Sequence, residues 1–127
     1  KVINMYNGFT VLDSMHINGA LTNGENLADI GGIAIAYDAF KMTPQGKDTT
    51  KIDGFTPDQR FFIAVAQSWR RKMKDAALMQ MIKTNPHSPA VWRVMGPLMN
   101  IDAFYAAFNV QPGDKMYKAP ADRIKIW

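Results

Sequence analysis

No cysteine occurs in the sequence, so disulfides and thiolate metal sites are both excluded, and thiol usage gives no clue to the redox compartment. Histidine is nearly as scarce, with only His16 and His87. No apolar run approaches the roughly 20 residues that a membrane-spanning helix needs. The first residue is Lys1 and no signal-peptide pattern follows it, so the chain reads as a segment of something longer. There is no internal repeat and no low-complexity tract. Strong charge of one sign is also lacking, because the net charge is only +4. The densest basic run, Arg70-Arg71-Lys72-Met73-Lys74, falls at the expected end of a helix, where the dipole favours cations. Basic residues interleaved with aromatics along one face are missing, which argues against a nucleic-acid partner.

What is present suits one domain. An apolar fraction of 47% in 127 residues supports a real core. Nine methionines fill irregular gaps or a contact surface. Asn7-Gly8, between Met5-Tyr6 and Phe9-Thr10-Val11-Leu12, predicts a short N-terminal hairpin. His16-Ile17-Asn18-Gly19 is a turn, and a helix over about 24–41 follows. Residues 43–54, with Pro44, Gly46 and Gly54, read as an exposed polar linker. Thr56-Pro57-Asp58-Gln59 opens a second helix with a capping box and a proline at its first position. The run Phe61 to Ala66 is apolar nearly all round, which predicts burial on most sides.

A third helix over about 75–83 stops at Asn85-Pro86. Ser88 is placed to cap a short helix that carries Trp92 and Arg93 until Gly96-Pro97 breaks it, and Asn100 to cap another with Phe104, Ala107 and Phe108 on its apolar face. Arg123 to Trp127 alternates like a short edge strand. The fold class is therefore mainly α, with a short hairpin and edge strands.

The stretch Gly24-Glu25-Asn26-Leu27-Ala28-Asp29-Ile30-Gly31-Gly32 organises the rest. Glu25 and Asp29, four residues apart, project from one helix face about a turn apart, and Thr22 with Glu25 has capping-box spacing. Leu27, Ile30, Ala34 and Tyr37 form an apolar stripe beside them. Gly31 and Gly32 each cost a helix about 1 kcal/mol relative to alanine, so another backbone is expected to approach closely. Gly32 and Ala36 continue the acidic face as a nearly bare surface on which a second helix can lie. Taken by spacing alone, two carboxylates in a first helical turn are also what the dipole favours on a solvated surface.

These motifs, together with Ala66-Gln67-Ser68-Trp69, His87-Ser88-Pro89, Arg93, Gly96 and the terminal Trp127, resemble the C-terminal part of the neprilysin family of zinc metallopeptidases, in particular its cysteine-free bacterial endopeptidases. The resemblance runs from about residue 15 to the end. It implies the C-terminal portion of a thermolysin-like zincin catalytic domain, hydrolysing peptide bonds of oligopeptides through a zinc-activated water. It further implies Glu25 as the third zinc ligand and Asp29 as the carboxylate that orients one of two histidine ligands. His87 becomes the donor to the oxyanion, Arg93 the clamp on a substrate carbonyl, and Trp69 a wall of the pocket for the residue after the scissile bond. One position departs from the family. Asn85 stands two residues before the histidine of the turn, where an aspartate is usual; if that aspartate pairs with the arginine, Arg93 is held less firmly or takes another acidic partner.

The family's other two zinc ligands and its general base come from an H-E-x-x-H helix, and no such pattern exists here. That helix is expected upstream, against the bare face. Residues 1–127 alone are then an incomplete catalytic domain, expected to be inactive, to retain no zinc and to self-associate through the exposed face. An extracytoplasmic site of action (periplasm, cell envelope or secreted) is implied by the resemblance only. Two rivals are a non-enzymatic helical interaction module using the methionine-rich surface, and a self-contained metal site made from His16, Glu25 and His87.

Overall fold

The computed structural model describes residues 1–126, so the expectation for Trp127 lies outside the described residues. The chain begins with a helix, not a hairpin strand. Helix α1 spans Val2–Asn7 and Gly8 closes it, its N–H donating to the Met5 carbonyl while the Phe9 N–H donates to that of Tyr6. Val2 and Tyr6, one turn apart, are both buried in the first core, and that burial overrides the Asn-Gly turn signal. The hairpin lies further on: β1 (Thr10–Leu12) pairs antiparallel with β2 (Met15–His16), with Asp13 in the left-handed region at the bend.

Helix α2 runs Asn23–Met42, close to the predicted bounds. Thr22 is its N-cap residue but makes no capping hydrogen bond, so the predicted Thr22–Glu25 box does not form. Its hydroxyl donates to the Asn18 carbonyl and accepts from Asn26. In the predicted linker a four-residue turn of helix, α3 (Pro44–Lys47), is capped by the Thr43 hydroxyl. Helix α4 (Pro57–Ser68) opens with the predicted capping box, made by Thr56 and Gln59 in both directions. Its predicted all-round burial is not found. Pro57 and Phe62 are buried, while Ala64, Ala66 and Gln67 are exposed.

Helix α5 spans Asp75–Thr84 and α6 spans Ala90–Leu98. Gly96-Pro97 does not break α6 ahead of the pair: Pro97 lies inside the helix, one residue before its end, so only the bond its N–H would have donated to the Arg93 carbonyl is lost. Ser88 and Asn100 do not cap as predicted; both side chains are buried and spent elsewhere. Helix α7 (Asp102–Phe108) starts after Ile101, and a 3-10 turn covers Pro120–Asp122. Residues 123–126 form no strand, since the Ile124 N–H donates to the Asn100 side-chain oxygen and not to a neighbouring strand.

Two apolar cores flank α2 and α6. One gathers Val2, Tyr6, Ile17, Ile30 and Ile124, with Leu27 and Trp92 packed against them. The other gathers Phe62, Leu98, Ile101, Phe104 and Tyr105, with Tyr37 against them. Burial and then the charge of Asp58 push the Tyr37 hydroxyl up to about 12. The opposite face of α2 is open: Ala28, Gly32, Ile35, Ala36 and Ala39 are all exposed, and nothing lies within 4 Å of where a Gly32 side chain would begin.

Gly96 is a different case. A Cβ there would press into the fully buried Tyr6 ring, 2.7 Å from Cζ. Gly96→Ala is therefore expected to destabilise the protein by about 1–3 kcal/mol, the usual cost of overpacking, as read by denaturant unfolding. Partial recovery is expected when Tyr6→Phe removes the hydroxyl.

Candidate active site

The apolar stripe turns α2 so that Glu25 and Asp29 face α6 and the turn before it. Ile30 is buried and Leu27 half-buried on the core side. From α6, Arg93 reaches back across 64 residues of sequence and grips Asp29 with two parallel bonds, Nε to Oδ2 and Nη2 to Oδ1, each 2.6 Å. This planar fork is the strong geometry for an arginine–carboxylate pair. It is also dry, with side chains 12% and 13% exposed. The bonds to Asp29 hold the Arg93 guanidinium above its ordinary value, against the opposing effect of burial. Nη2 additionally approaches Glu25 Oε2 at 3.4 Å, and the guanidinium lies over the Trp69 ring at 4.1 Å.

His87 comes to the same place from the turn between α5 and α6, with Nε2 3.1 Å from Glu25 Oε2. Asn85 orients its ring. The Asn85 Oδ1 accepts the His87 backbone N–H and lies 2.9 Å from Nδ1 as well. Since a backbone N–H can only donate, the amide oxygen faces the ring and Nδ1 carries a proton; Nε2 is a donor to the Glu25 carboxylate only when it is protonated too. Asn85 thus serves His87 and not Arg93, and Arg93 has Asp29 and Glu25 as its acidic partners.

Four of the five residues singled out in the sequence, Glu25, Asp29, His87 and Arg93, are joined by direct polar contacts, and the fifth, Trp69, stacks on the Arg93 guanidinium. His16 stays in β2. Among the described residues no three His, Asp or Glu side chains are placed to hold a metal ion, so the self-contained site from His16, Glu25 and His87 does not assemble. The Glu25 carboxylate is 41% exposed, and its Oε1 makes no hydrogen bond among the described residues.

Trp69, His87 and Arg93 line a pocket of about 420 Å³, whose other walls include Met73, Leu78, Met81 and Val91. Arg93 Nη1 makes no hydrogen bond among the described residues, and no side-chain nitrogen or oxygen there is both buried and unpartnered. Nη1 is therefore not fully enclosed.

The sequence reading missed Asn26 and Ser88, which join α2 to the His87 turn by a buried 2.7 Å hydrogen bond. A signal for Asn26 was available. It stands one turn before Ile30, in line with the buried face, where a polar side chain must find a partner.

Because the Arg93–Asp29 pair is nearly excluded from water, breaking it strands a buried charge. Asp29→Ala is expected to cost about 3–5 kcal/mol of stability by denaturant unfolding. The half-exposed His87–Glu25 contact is worth far less, and His87→Ala is expected to cost about 1 kcal/mol or less.

The family profile described as peptidase family M13 matches residues 1–124. An endothelin-converting enzyme homolog of Locusta migratoria is 35% identical over 130 residues, covering 99% of this chain and 17% of the relative. Neprilysin-2 of Caenorhabditis elegans is 39% identical over 122 residues, covering 92% of this chain and 16% of the relative. Among solved structures, the zinc metalloprotease Zmp1 of Mycobacterium tuberculosis in complex with an inhibitor superposes with a TM-score of 0.93 at 38% identity, covering 99% of this chain and 20% of that one. PepO of Lactobacillus rhamnosis gives 0.83 at 35% identity, covering 99% and 18%. The chain thus spans a fifth or less of these relatives. Over that span the profile, the identities and the superposed helices agree: the chain belongs to peptidase family M13, the neprilysin family.

Proposed function

We propose that the intact protein is a zinc-dependent endopeptidase acting on oligopeptides, and that this chain is a C-terminal segment of its catalytic domain. The observation that carries the reading is the meeting of Glu25, Asp29, His87 and Arg93 at one end of α2, beside a pocket. Bound zinc supplies a Lewis acid that polarises the scissile carbonyl. Glu25 provides one carboxylate ligand of the standard two-histidine, one-glutamate set. The two histidines and the general base come from an H-E-x-x-H helix elsewhere in the protein, seated along the open Gly32 face.

Around that centre each residue here has a task its geometry supports. Asp29, gripped by Arg93, keeps lone pairs free to accept from the N–H of a ligating histidine and so fix its tautomer. His87, with Nδ1 donating to Asn85, turns Nε2 toward the place where an oxyanion develops, to which it donates as the doubly protonated ring. Arg93 offers the Nη1 donors to a peptide carbonyl, and Trp69 walls the pocket for the residue after the scissile bond. By the same family resemblance the protein works outside the cytoplasm. None of the helices described is long and apolar enough to cross a membrane.

In the intact protein Glu25→Gln is expected to abolish both bound zinc and turnover, as read by metal analysis and peptide hydrolysis. Retention of both would remove Glu25 from the zinc site; a non-enzymatic interaction module would instead show neither zinc nor turnover before any substitution. His87→Ala should lower kcat by about 10²–10³ with zinc content and KM little changed. Produced alone, residues 1–127 should show no hydrolysis, hold no stoichiometric zinc and sediment as oligomers through the open α2 face. Turnover, one tightly held zinc per chain, or a purely monomeric profile would each contradict the corresponding part.

A further inference from the structure

We propose that the buried Ser88–Asn26 hydrogen bond is a positioning element that sets where His87 stands relative to Glu25. The inference rests on the catalytic reading of those two residues given above. Ser88 follows His87 in the chain and Asn26 follows Glu25, so the bond between them lies one residue from each functional side chain. It spans 62 residues of sequence at 2.7 Å, with the Ser88 hydroxyl donating to Asn26 Oδ1. Both residues are 0% exposed.

Asn26 has no freedom left to follow a drifting turn. Its Nδ2 donates to the Thr22 hydroxyl at 2.9 Å, which donates in turn to the Asn18 carbonyl at 3.0 Å. Thr22 is 3% exposed, so the relay runs through a dry interior. Three buried polar side chains, Thr22 and Asn26 in line with Ile30 and Ser88 facing them, are tolerated only while their donors and acceptors are met. A shift of the 85–89 turn by an ångström would leave the Ser88 hydroxyl and Asn26 Oδ1 unpaired, with no water to replace them. The network therefore favours one separation of turn and helix over its neighbours.

The direct His87–Glu25 contact cannot do this job. Its side chains are 42% and 41% exposed, and exposed ion pairs hold geometry weakly. It also joins the two groups that must be free to meet other atoms during catalysis. Asn85 fixes the orientation of the His87 ring, and Ser88 fixes its place. Misplacement of a catalytic donor by about 1 Å can cost on the order of a hundredfold in rate.

The test uses the intact, zinc-loaded protein and two peptide inhibitors. A phosphonate presents a tetrahedral oxyanion to His87, whereas a thiol binds zinc without one. Ser88→Ala is expected to weaken the phosphonate tenfold or more and leave the thiol within twofold, with kcat falling tenfold or more and KM within twofold. In the zinc-free protein the single ring-proton NMR resonance of His87 is expected to split or broaden in the same variant. A lowered Tm with both affinities and kcat unchanged makes the pair merely structural and overturns the proposal, as does equal weakening of both inhibitors. Should Ser88→Ala fail to fold, Ser88→Cys, similar in size with a weaker donor, carries the same comparison with the same criteria. His87→Ala is the control. If it leaves phosphonate binding untouched, the catalytic reading of His87 falls and the positioning claim with it; if it weakens phosphonate while Ser88→Ala does not, only the positioning claim falls.

Discussion

The bidentate grip of Arg93 on Asp29 is the interaction on which the rest of the site depends. It is short, planar and nearly dry, and it fastens α6 to α2 where the two helices cross. Trp69 closes one side of it from the end of α4, so three helices meet over a single guanidinium. With the crossing fixed there, Glu25 one turn back on α2 is brought opposite the turn that leads into α6, and His87 meets it without strain. Among buried ion pairs such geometry is what offsets the cost of removing both charges from water.

Charge and core divide the labour between the two faces of α2. The inward stripe, from Leu27 through Ile30 to Tyr37, spends its apolar surface on the two cores and so sets the rotation of the helix. The acidic residues are then presented by default. The third face, lined mostly by small residues, is left exposed.

Much of this was legible in the residues. The bounds of α2, the capping box of α4 and the ends of α5 follow from local chemistry that tertiary packing did not disturb. The cluster of Glu25, Asp29, His87 and Arg93 was legible only through family resemblance, since no spacing rule brings residue 29 to residue 93. The failures share a cause. Asn7-Gly8, Ser88 and Asn100 each carry a strong local signal for a turn or a cap, and each lost to a long-range demand: burial of Tyr6, pairing with Asn26, and the bonds of Asn100 to Gly96 and Ile124. Side chains able to serve either backbone or core are those for which local reading is least decisive.

Tyr6 links the front of the chain to the active residues more tightly than its distance in sequence implies. Its ring occupies the notch at Gly96, its hydroxyl reaches the carbonyl of Trp92, and Phe9 stacks on the Trp92 indole at 4.1 Å. The arginine that organises the site is the next residue along. Any natural or artificial shortening that sheds the opening helix would thus withdraw the plug from behind Arg93, so the smallest unit able to shape these side chains reaches back at least to Val2.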